Sequence, residues 1–423
     1  MKTKLIAGVI ASCFAAPVMA QSSVQIYGIA DAAIMKTQGE KAKLVSGGAD
    51  GSRIGFKGTE DIGGGYKAIF NLEARVELDT GSQTPSLIHN NDGLYLMRGL
   101  GSLPPTIQAG LQAQLRQFGV AAVNSEKALF DRTAMVGLVT PVGAILLGRM
   151  YTPGYEVFAA SDTFENGTPG AWGGITGGTA GFTALGADIR SAKSIQYRVA
   201  TPSGLGGSAM YGFKNSGYLG RYNKFWGAAL TYKANGFDVG IAHNQGYDQT
   251  DQKSLTTSTI GGSYTWGDFK FFAGYHDQKN EHSALLRDYI AAWDTSIAPS
   301  LAPLGAPTAT ALRTVFVTNM ARNTQIDANS AQIGLHYKIG AGRLMASWAR
   351  QNDRTTSNSD ATLMAVGYDY NLSKRTDIYT VFANIQNQND GQYTPGSAGS
   401  PGGFTKVPGE DSRALQVGIR HRF

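Results

Sequence analysis

The C-terminal segment constrains the fold of this chain more than any other feature. From Leu415 to Phe423, apolar side chains alternate with Gln416, Gly418 and Arg420, and the segment closes on an aromatic ring. Alternation with a period of two gives a β-strand one apolar and one polar face. A transmembrane barrel uses such strands, because its outer face meets lipid, its inner face meets water, and aromatic rings sit at the bilayer boundary. We therefore favour a transmembrane barrel over the edge strand of a soluble sheet.

The N-terminal segment has the pattern of a secretory signal peptide. Two lysines precede an apolar run that is too short to span a bilayer, and Val18-Met19-Ala20 has the small-x-small spacing of a cleavage site. We expect residues 1–20 to be the signal peptide and 21–423 to be the mature barrel. A lipoprotein site at Cys13 is the alternative, which the serine before the cysteine disfavours. Cys13 is the only cysteine, so cleavage after Ala20 would exclude disulfides, thiol catalysis and Cys-ligated metals.

Composition excludes several other classes. No stretch of 18 apolar residues occurs, which argues against a helical membrane protein. Lys and Arg number 37 against 31 Asp and Glu, a modest excess without basic runs, which suggests anion preference rather than nucleic-acid binding. The six histidines show no HExxH spacing, and no GxSxG or P-loop pattern is present, so we expect neither an enzyme nor a cofactor. Asp248 and Asp251 are only a weak indication of Ca²⁺ binding.

Sixteen amphipathic segments repeat along the chain, an even number as single-chain bacterial barrels have. We predict strands at 23–35, 50–60, 64–79, 130–140, 142–151, 188–202, 204–214, 222–234, 236–246, 255–266, 268–279, 327–340, 342–353, 359–371, 374–386 and 410–423. Gly-rich and Asn-Gly turns alternate with long connections near 36–49, 80–129, 152–187, 280–326 and 387–409. Loosely amphipathic spacing at Ile107–Phe118 and Ser283–Trp293 allows helices within two of these connections.

The direction of the side chains follows from the same alternation. In the segment 64–79, one row is apolar and the opposite row carries both charge signs, including Glu73 and Arg75. An arginine facing lipid at the bilayer midplane costs roughly 2–4 kcal/mol, so the charged row faces the lumen. We assign Arg53 and Arg149 to the lumen as well.

At this level the chain resembles the general diffusion porins of Gram-negative outer membranes, in the branch whose barrels end on phenylalanine. The resemblance covers essentially the whole mature chain, and the order of its motifs at strand-length spacing is what makes it specific. The segments that carry it are Val24–Gly28, Ser52–Glu60, Tyr66–Glu73, Arg132–Leu138, Leu147–Tyr151, Arg190–Tyr197 and Val417–Phe423.

The resemblance implies an all-β, sixteen-stranded antiparallel barrel with short periplasmic turns, long external loops and a third loop, about 152–187, that folds inward. Such porins set loop carboxylates against wall arginines. The wall positions here are Arg53, Arg132 and Arg190, with Arg149 beside them, and the loop acids are Asp162, Glu165 and Glu156. A basic residue that some relatives carry is Ile29 here, and Lys193 stands where asparagine is usual.

The resemblance also implies partners and location. It implies a homotrimer in outer-membrane lipid and lipopolysaccharide, with Phe423 as the signal for the barrel-assembly machinery, and a channel for small hydrophilic solutes with a weak preference for anions. Two other functions stay open: a channel specific for organic anions, or an adhesin or receptor that uses the long loops near 80–129 and 280–326. We expect no nucleic-acid partner and no metal.

The signal-peptide interpretation predicts the mature N-terminus. N-terminal sequencing of the protein from outer membranes should begin at Gln21, because Val18-Met19-Ala20 offers the small side chains that signal peptidase requires. A lipid-modified N-terminus at Cys13 would overturn this interpretation.

Overall fold

The chain folds into one antiparallel sheet that closes on itself. The computed structural model describes residues 23–83, 97–118, 128–176, 189–217, 222–396 and 402–423, and the predicted signal peptide lies outside them. Its strands are β1 Ser23–Thr37, β2 Lys43–Ser46, β3 Arg53–Gly63, β4 Tyr66–Arg75, β5 Thr133–Thr140, β6 Gly143–Tyr151, β7 Arg190–Ala200, β8 Leu205–Gly217, β9 Lys224–Ala234, β10 Phe237–Tyr247, β11 Lys253–Trp266, β12 Phe269–Asn280, β13 Ile326–Ile339, β14 Gly342–Asp353, β15 Ala361–Asn371, β16 Thr376–Asn387 and β17 Ser412–Arg422.

The first and last strands close the barrel. β1 pairs with β17 from Ile29 opposite Arg422 to Thr37 opposite Ala414. The N–H of Gly28 donates to the carbonyl of Phe423 at 3.0 Å, and the N–H of Phe423 donates back at 3.1 Å. The Phe423 ring lies over Gly28, where a Cβ would collide with the ring. The C-terminal residue is therefore part of the closure.

The prediction of a sixteen-stranded barrel is confirmed, with one short strand that we did not predict. β2 pairs with β1 at the long-loop end, and β3 pairs with the other half of β1, so the two share one position in the barrel. The Asp31 carboxylate explains the interruption, because it accepts hydrogen bonds from the amides of Gly48, Ala49 and Asp50 and folds the chain between the two strands.

The two faces of the wall differ as the alternation predicts. Apolar side chains point outward, such as Val24, Leu230 and Val417, which are more than half exposed. Exposed aromatic rings, including Trp266 and Phe423, lie at strand ends. Tight turns join the strands at one end of the barrel, which we call the turn end, and long connections emerge at the other, the loop end.

Four α-helices lie in the described parts of the long connections: α1 Pro105–Phe118, α2 Pro153–Ser161, α3 Ala284–Ala292 and α4 Ala306–Asn323. None of the helices in the described ranges is long and apolar enough to cross a membrane. The helices expected near 107–118 and 283–293 are present, whereas α2 and α4 were not predicted.

Helices α1, α3 and α4 form a cap at the loop end. The rings of Trp293 and Phe316 stack with centroids 4.6 Å apart. The surrounding apolar cluster also contains Leu111 and extends to Leu146 and Phe225 of the barrel. The described parts of the long loops near 80–129 and 280–326 therefore pack on each other and on the barrel.

Deletion of Phe423 should sharply lower the amount of folded barrel in the outer membrane. The deletion removes the aromatic ring over Gly28 together with the last hydrogen bonds of the closing strand pair. Heat-modifiable mobility on gels measures the folded fraction, and Phe423→Tyr is the control because it keeps a ring of similar shape. Normal levels of folded barrel in the deletion would contradict the role of Phe423.

Candidate pore constriction

The connection after β6 turns into the barrel at its first residues. The Thr152 hydroxyl accepts the Tyr155 amide at 3.2 Å and caps α2, and Pro153 occupies the first turn, where it needs no hydrogen-bond partner. The amide side chain of Asn244 on β10 accepts the Gly154 amide at 3.2 Å. Helix α2 then packs on the inner faces of β9 to β12. The predicted inward fold of the third loop is thus confirmed over its described part, 152–176.

Beyond α2 the loop follows the inner wall toward β1. The Trp172 ring covers Gly274 of β12, where a Cβ would stand 2.7 Å from the ring. His336 Nε2 lies 2.6 Å from the carbonyl oxygen of Thr163, and the Thr168 amide donates to the Gly48 carbonyl at 2.9 Å. The loop therefore covers the lumen side of β9 to β15 and faces the wall formed by β3 to β7.

The tip of the loop is held in an unfavourable backbone conformation. Glu165, Asn166 and Thr168 have φ near +56°, +56° and +59°. Such values are costly for a β-branched residue like threonine and persist only where surrounding contacts enforce them. The Asp162 carboxylate supplies these contacts: it accepts the amides of Phe164 at 3.0 Å, Asn166 at 3.1 Å and Trp172 at 3.1 Å.

Three predicted wall arginines meet around one carboxylate and one tyrosine. Arg132 Nε donates to Glu73 at 2.6 Å, and an Arg53 Nη lies 3.7 Å from the other Glu73 oxygen. Arg53 also pairs with Asp50. Arg190 donates to the Tyr151 hydroxyl at 2.7 Å, and its guanidinium lies 4.3 Å from the centre of that ring. Within the described part of the chain, Arg190 forms no ion pair. We call Arg53, Arg132 and Arg190 the arginine wall.

The fourth predicted arginine lies beside this wall and not within it. Arg149 Nε donates to the main-chain carbonyl of Asp131 at 2.6 Å. The Asp131 carboxylate in turn binds Arg75, which also pairs with Glu77 at 3.1 Å. Lys193, whose direction the sequence left open, is an exposed residue with φ near +50° at an irregularity between β7 and its neighbours.

Asp162 does not face the wall, so its prediction as a charged loop acid is wrong. The side chain is fully buried, and its oxygens are taken up by three backbone amides of the loop itself. Burial raises the pKa of Asp162 to about 7, against the lowering effect of those amide hydrogen bonds. The residue shapes the loop and presents no charge to the lumen.

The other two loop acids form ion pairs with arginines that we did not predict. Glu165 forms a two-bonded pair with Arg343 of β14, at 2.6 and 3.0 Å. Burial alone would raise the pKa of Glu165, but Arg343 outweighs it and lowers the pKa to about 2. Glu156 pairs with Arg198 of β7. Burial raises the pKa of Glu156, and Arg198 opposes that effect.

Four residues of the site were missed as partners: Glu73, Tyr151, Arg198 and Arg343. The alternation placed Glu73 on the lumen row. The pairing of β3 with β4 sets Arg53 opposite Arg75 and Gly55 opposite Glu73, so Arg53 and Glu73 are diagonal neighbours. Knowledge of that register would have identified Glu73 as a partner of Arg53. Arg198 and Arg343 gave no signal, since their partners lie on a loop whose path alternation does not define.

The two aspartates that gave the weak indication of Ca²⁺ binding have other partners. Asp248 accepts the amides of Thr250 and Gln252, and Asp251 pairs with Lys224 at 3.1 Å. Across the described ranges, no group of three His, Cys, Asp or Glu side chains is placed to hold a metal ion.

A closed barrel with a lipid-compatible outer face, a charged lumen and an inward loop defines a channel protein of the outer-membrane type. Residues 7–390 match the family described as Gram-negative porin, and the chain belongs to that family. It is therefore an outer-membrane protein whose long loops face outward and whose tight turns face the periplasm. Family and fold together indicate a channel and not an enzyme.

Individual relatives agree over the full length. The chain is 26% identical to outer membrane porin protein 32 of Delftia acidovorans and 24% identical to an outer membrane porin protein of Bordetella pertussis, with all of each chain covered. Its fold is similar to that of a solved anion-selective porin from Comamonas acidovorans, with a TM-score of 0.66 at 22% identity over 95% of this chain and all of that one.

Asp162→Ala should enlarge the pore without changing lumen charge directly. The substitution leaves three loop amides without an acceptor, which costs about 1–3 kcal/mol for each amide that stays buried. We therefore expect the strained loop tip to leave its present position inside the barrel and the single-channel conductance to rise. Asp248→Ala is the matched control, because Asp248 also accepts backbone amides but lies in an external loop. Equal conductance of the Asp162 variant and the parent channel in planar bilayers would exclude this role.

Proposed function

We propose that this porin passes small hydrophilic solutes by diffusion with a weak preference for anions, and that the arginine wall is its filter. The observation that carries the proposal is the imbalance of charge on the lumen wall that the inward loop faces. Three guanidinium groups share only two carboxylates, Glu73 and Asp50, and the described polar partner of Arg190 is the Tyr151 hydroxyl. One positive charge is therefore left without compensation on this wall.

The three predicted loop acids add no free negative counterweight. Asp162 is buried in the loop, Glu165 is bound to Arg343, and Glu156 is bound to Arg198. We expected opposed rows of free charge, and the proposal is instead a one-sided positive field. Such a field acts more strongly between low-dielectric walls than in bulk water, and arginine-lined constrictions favour anions.

Similarity supports the same direction of selectivity. The similar structure from Comamonas acidovorans is described as an anion-selective porin. We extend that property to this chain because its own wall arginines outnumber their described acidic partners.

We also propose that the channel assembles as a homotrimer whose interface includes β5 and β6. A tilted strand needs about 9–11 residues to span the hydrocarbon core. β5, with 8 residues, is shorter than that, and β6, with 9, is at the lower limit. Protein would match the short β5 better than lipid. Lipopolysaccharide around the trimer and recognition of Phe423 by the barrel-assembly machinery belong to the same proposal.

Neutralising two wall arginines should move the reversal potential toward cations. A unit charge about 5 Å from the ion path is worth about 0.8 kcal/mol in a water-like dielectric, so the variant Arg53→Gln/Arg190→Gln should lose anion preference several-fold. It leaves the Arg132–Glu73 pair intact and so preserves the wall. Reversal potentials across a KCl gradient give the measurement, and the shift should shrink between about 0.1 M and 1 M salt, as the Debye length falls from about 10 to 3 Å.

The matched control removes two arginines outside the lumen. Arg287 and Arg313 lie in the helices of the cap, and Arg287→Gln/Arg313→Gln should keep the parental reversal potential. If the wall variant behaves like this control at low salt, the arginine wall is not the filter.

A further inference from the structure

A basic pocket lies in the lumen at the turn end, away from the arginine wall. It has a volume of about 560 Å³ and is lined by the turns that join β11 to β12, β13 to β14 and β15 to β16. Its charged lining residues are Lys270, Lys338, Lys374, Arg343 and Asp268, together with His336. A volume of this size suits a small organic molecule.

Alternation places the strand lysines on the lumen side. Phe271 and Tyr337 are exposed outside the barrel, at 44% and 39%, so their neighbours Lys270 and Lys338 face inward. Within the described part of the chain, Lys270, Lys338 and Lys374 form no ion pair, whereas Arg343 is already bound to Glu165 and Asp369. Asp268 is the one carboxylate among the lining residues. The pocket thus keeps an excess of ammonium groups.

We propose that this pocket binds small organic anions with two or three carboxylates at the periplasmic mouth of the channel. The three lysines belong to β12, β13 and the turn after β15, so a single compact anion would meet only some of them. A di- or tricarboxylate spreads its charge over several ångströms and engages them together. Lysine heads are flexible and strongly hydrated, which favours fast exchange over tight capture.

The role of this pocket rests on the proposed channel function, because the ligand reaches it through the lumen. Ligand binding in the pocket does not depend on the arginine wall. An anion that has passed the constriction would meet this pocket on the opposite wall before it leaves. The pocket would raise the local concentration of polycarboxylates at the exit and give them an advantage over chloride.

Citrate is the probe for the test, with the intact barrel in detergent at constant ionic strength and pH 8. Isothermal titration calorimetry should show that Lys270→Gln/Lys338→Gln weakens citrate binding by roughly tenfold or more, since hydrogen bonds to charged groups are worth about that factor each. The matched control is Lys67→Gln/Lys233→Gln, which removes two lumen lysines near the turn end on β4 and β9, outside the pocket. This control should stay within about twofold, because remote charges are screened.

Two further measurements make the result decisive. Lys374→Gln changes a surface turn and no strand, so it tests the pocket without risk to the barrel, and it should also weaken citrate binding. In planar bilayers, citrate added on the periplasmic side should block current in the parent and control channels, and less in the pocket variants.

The outcomes separate this site from the selectivity filter. Citrate binding that is absent in the parent, or equally weakened in the pocket and control variants, overturns the pocket and leaves the channel function untouched. Loss of anion preference in the arginine-wall variant with unchanged citrate binding supports both sites as independent. Chloride or phosphate that competes as well as citrate at equal ionic strength would overturn the preference for polycarboxylates.

Discussion

Everything in this structure depends on the requirement that a strand in lipid must bond all of its backbone polar groups within the sheet. Only helices and closed barrels meet that requirement in a bilayer. Here closure is made by β1, β3 and β17, and it extends to the last residue through the paired hydrogen bonds of Gly28 and Phe423. Closure also fixes the register, and register decides which side chains of every strand face water. The lumen is therefore a consequence of the same pairing that makes the wall.

The inward loop is held on the lumen wall by both polar and apolar contacts. Here Asn244, His336 and Arg343 each bind the loop from a different strand. Apolar packing contributes through a buried cluster in which Phe164 and Trp172 of the loop join wall residues such as Leu363, and Gly274 leaves room for the Trp172 ring. The loop is thus attached at many points along half of the barrel, and Thr168 at its strained tip donates its amide to the Gly48 carbonyl.

Alternation made the barrel predictable from sequence, whereas the arginine wall as a set was implied by the resemblance to porins. Period-two patterns carry both the strand and the direction of its side chains, so Arg53 and Glu73 could be assigned to the lumen without coordinates. The interruption between β2 and β3 could not be predicted, because it depends on the Asp31 carboxylate binding amides 17 to 19 residues away. Helix α4 was missed for a similar reason: it is fixed by packing such as that of Phe316 on Trp293, and not by a clear apolar stripe of its own.

The partners of the loop acids could not be predicted from the sequence either. Glu165 and Arg343 are 178 residues apart, and nothing in either segment indicates the other. An aspartate in a loop also looks the same in sequence whether it faces water or accepts backbone amides, as Asp162 does. The resemblance to porins supplied the correct loop and the correct residue type, but the role of each carboxylate depended on the path of the chain between them.

Tyr151 links the loop to the charge that the loop faces. It ends β6, and its ring stacks on Tyr155 in the first turn of α2, with centroids 5.0 Å apart. The same ring and hydroxyl hold the Arg190 guanidinium. A tyrosine can orient a guanidinium through its ring and oxygen without cancelling the charge, whereas a carboxylate would cancel it. Tyr151, which precedes the inward loop, therefore also orients Arg190 without cancelling its positive charge. The start of the inward loop and one arginine of the proposed filter are consequently in contact with the same residue.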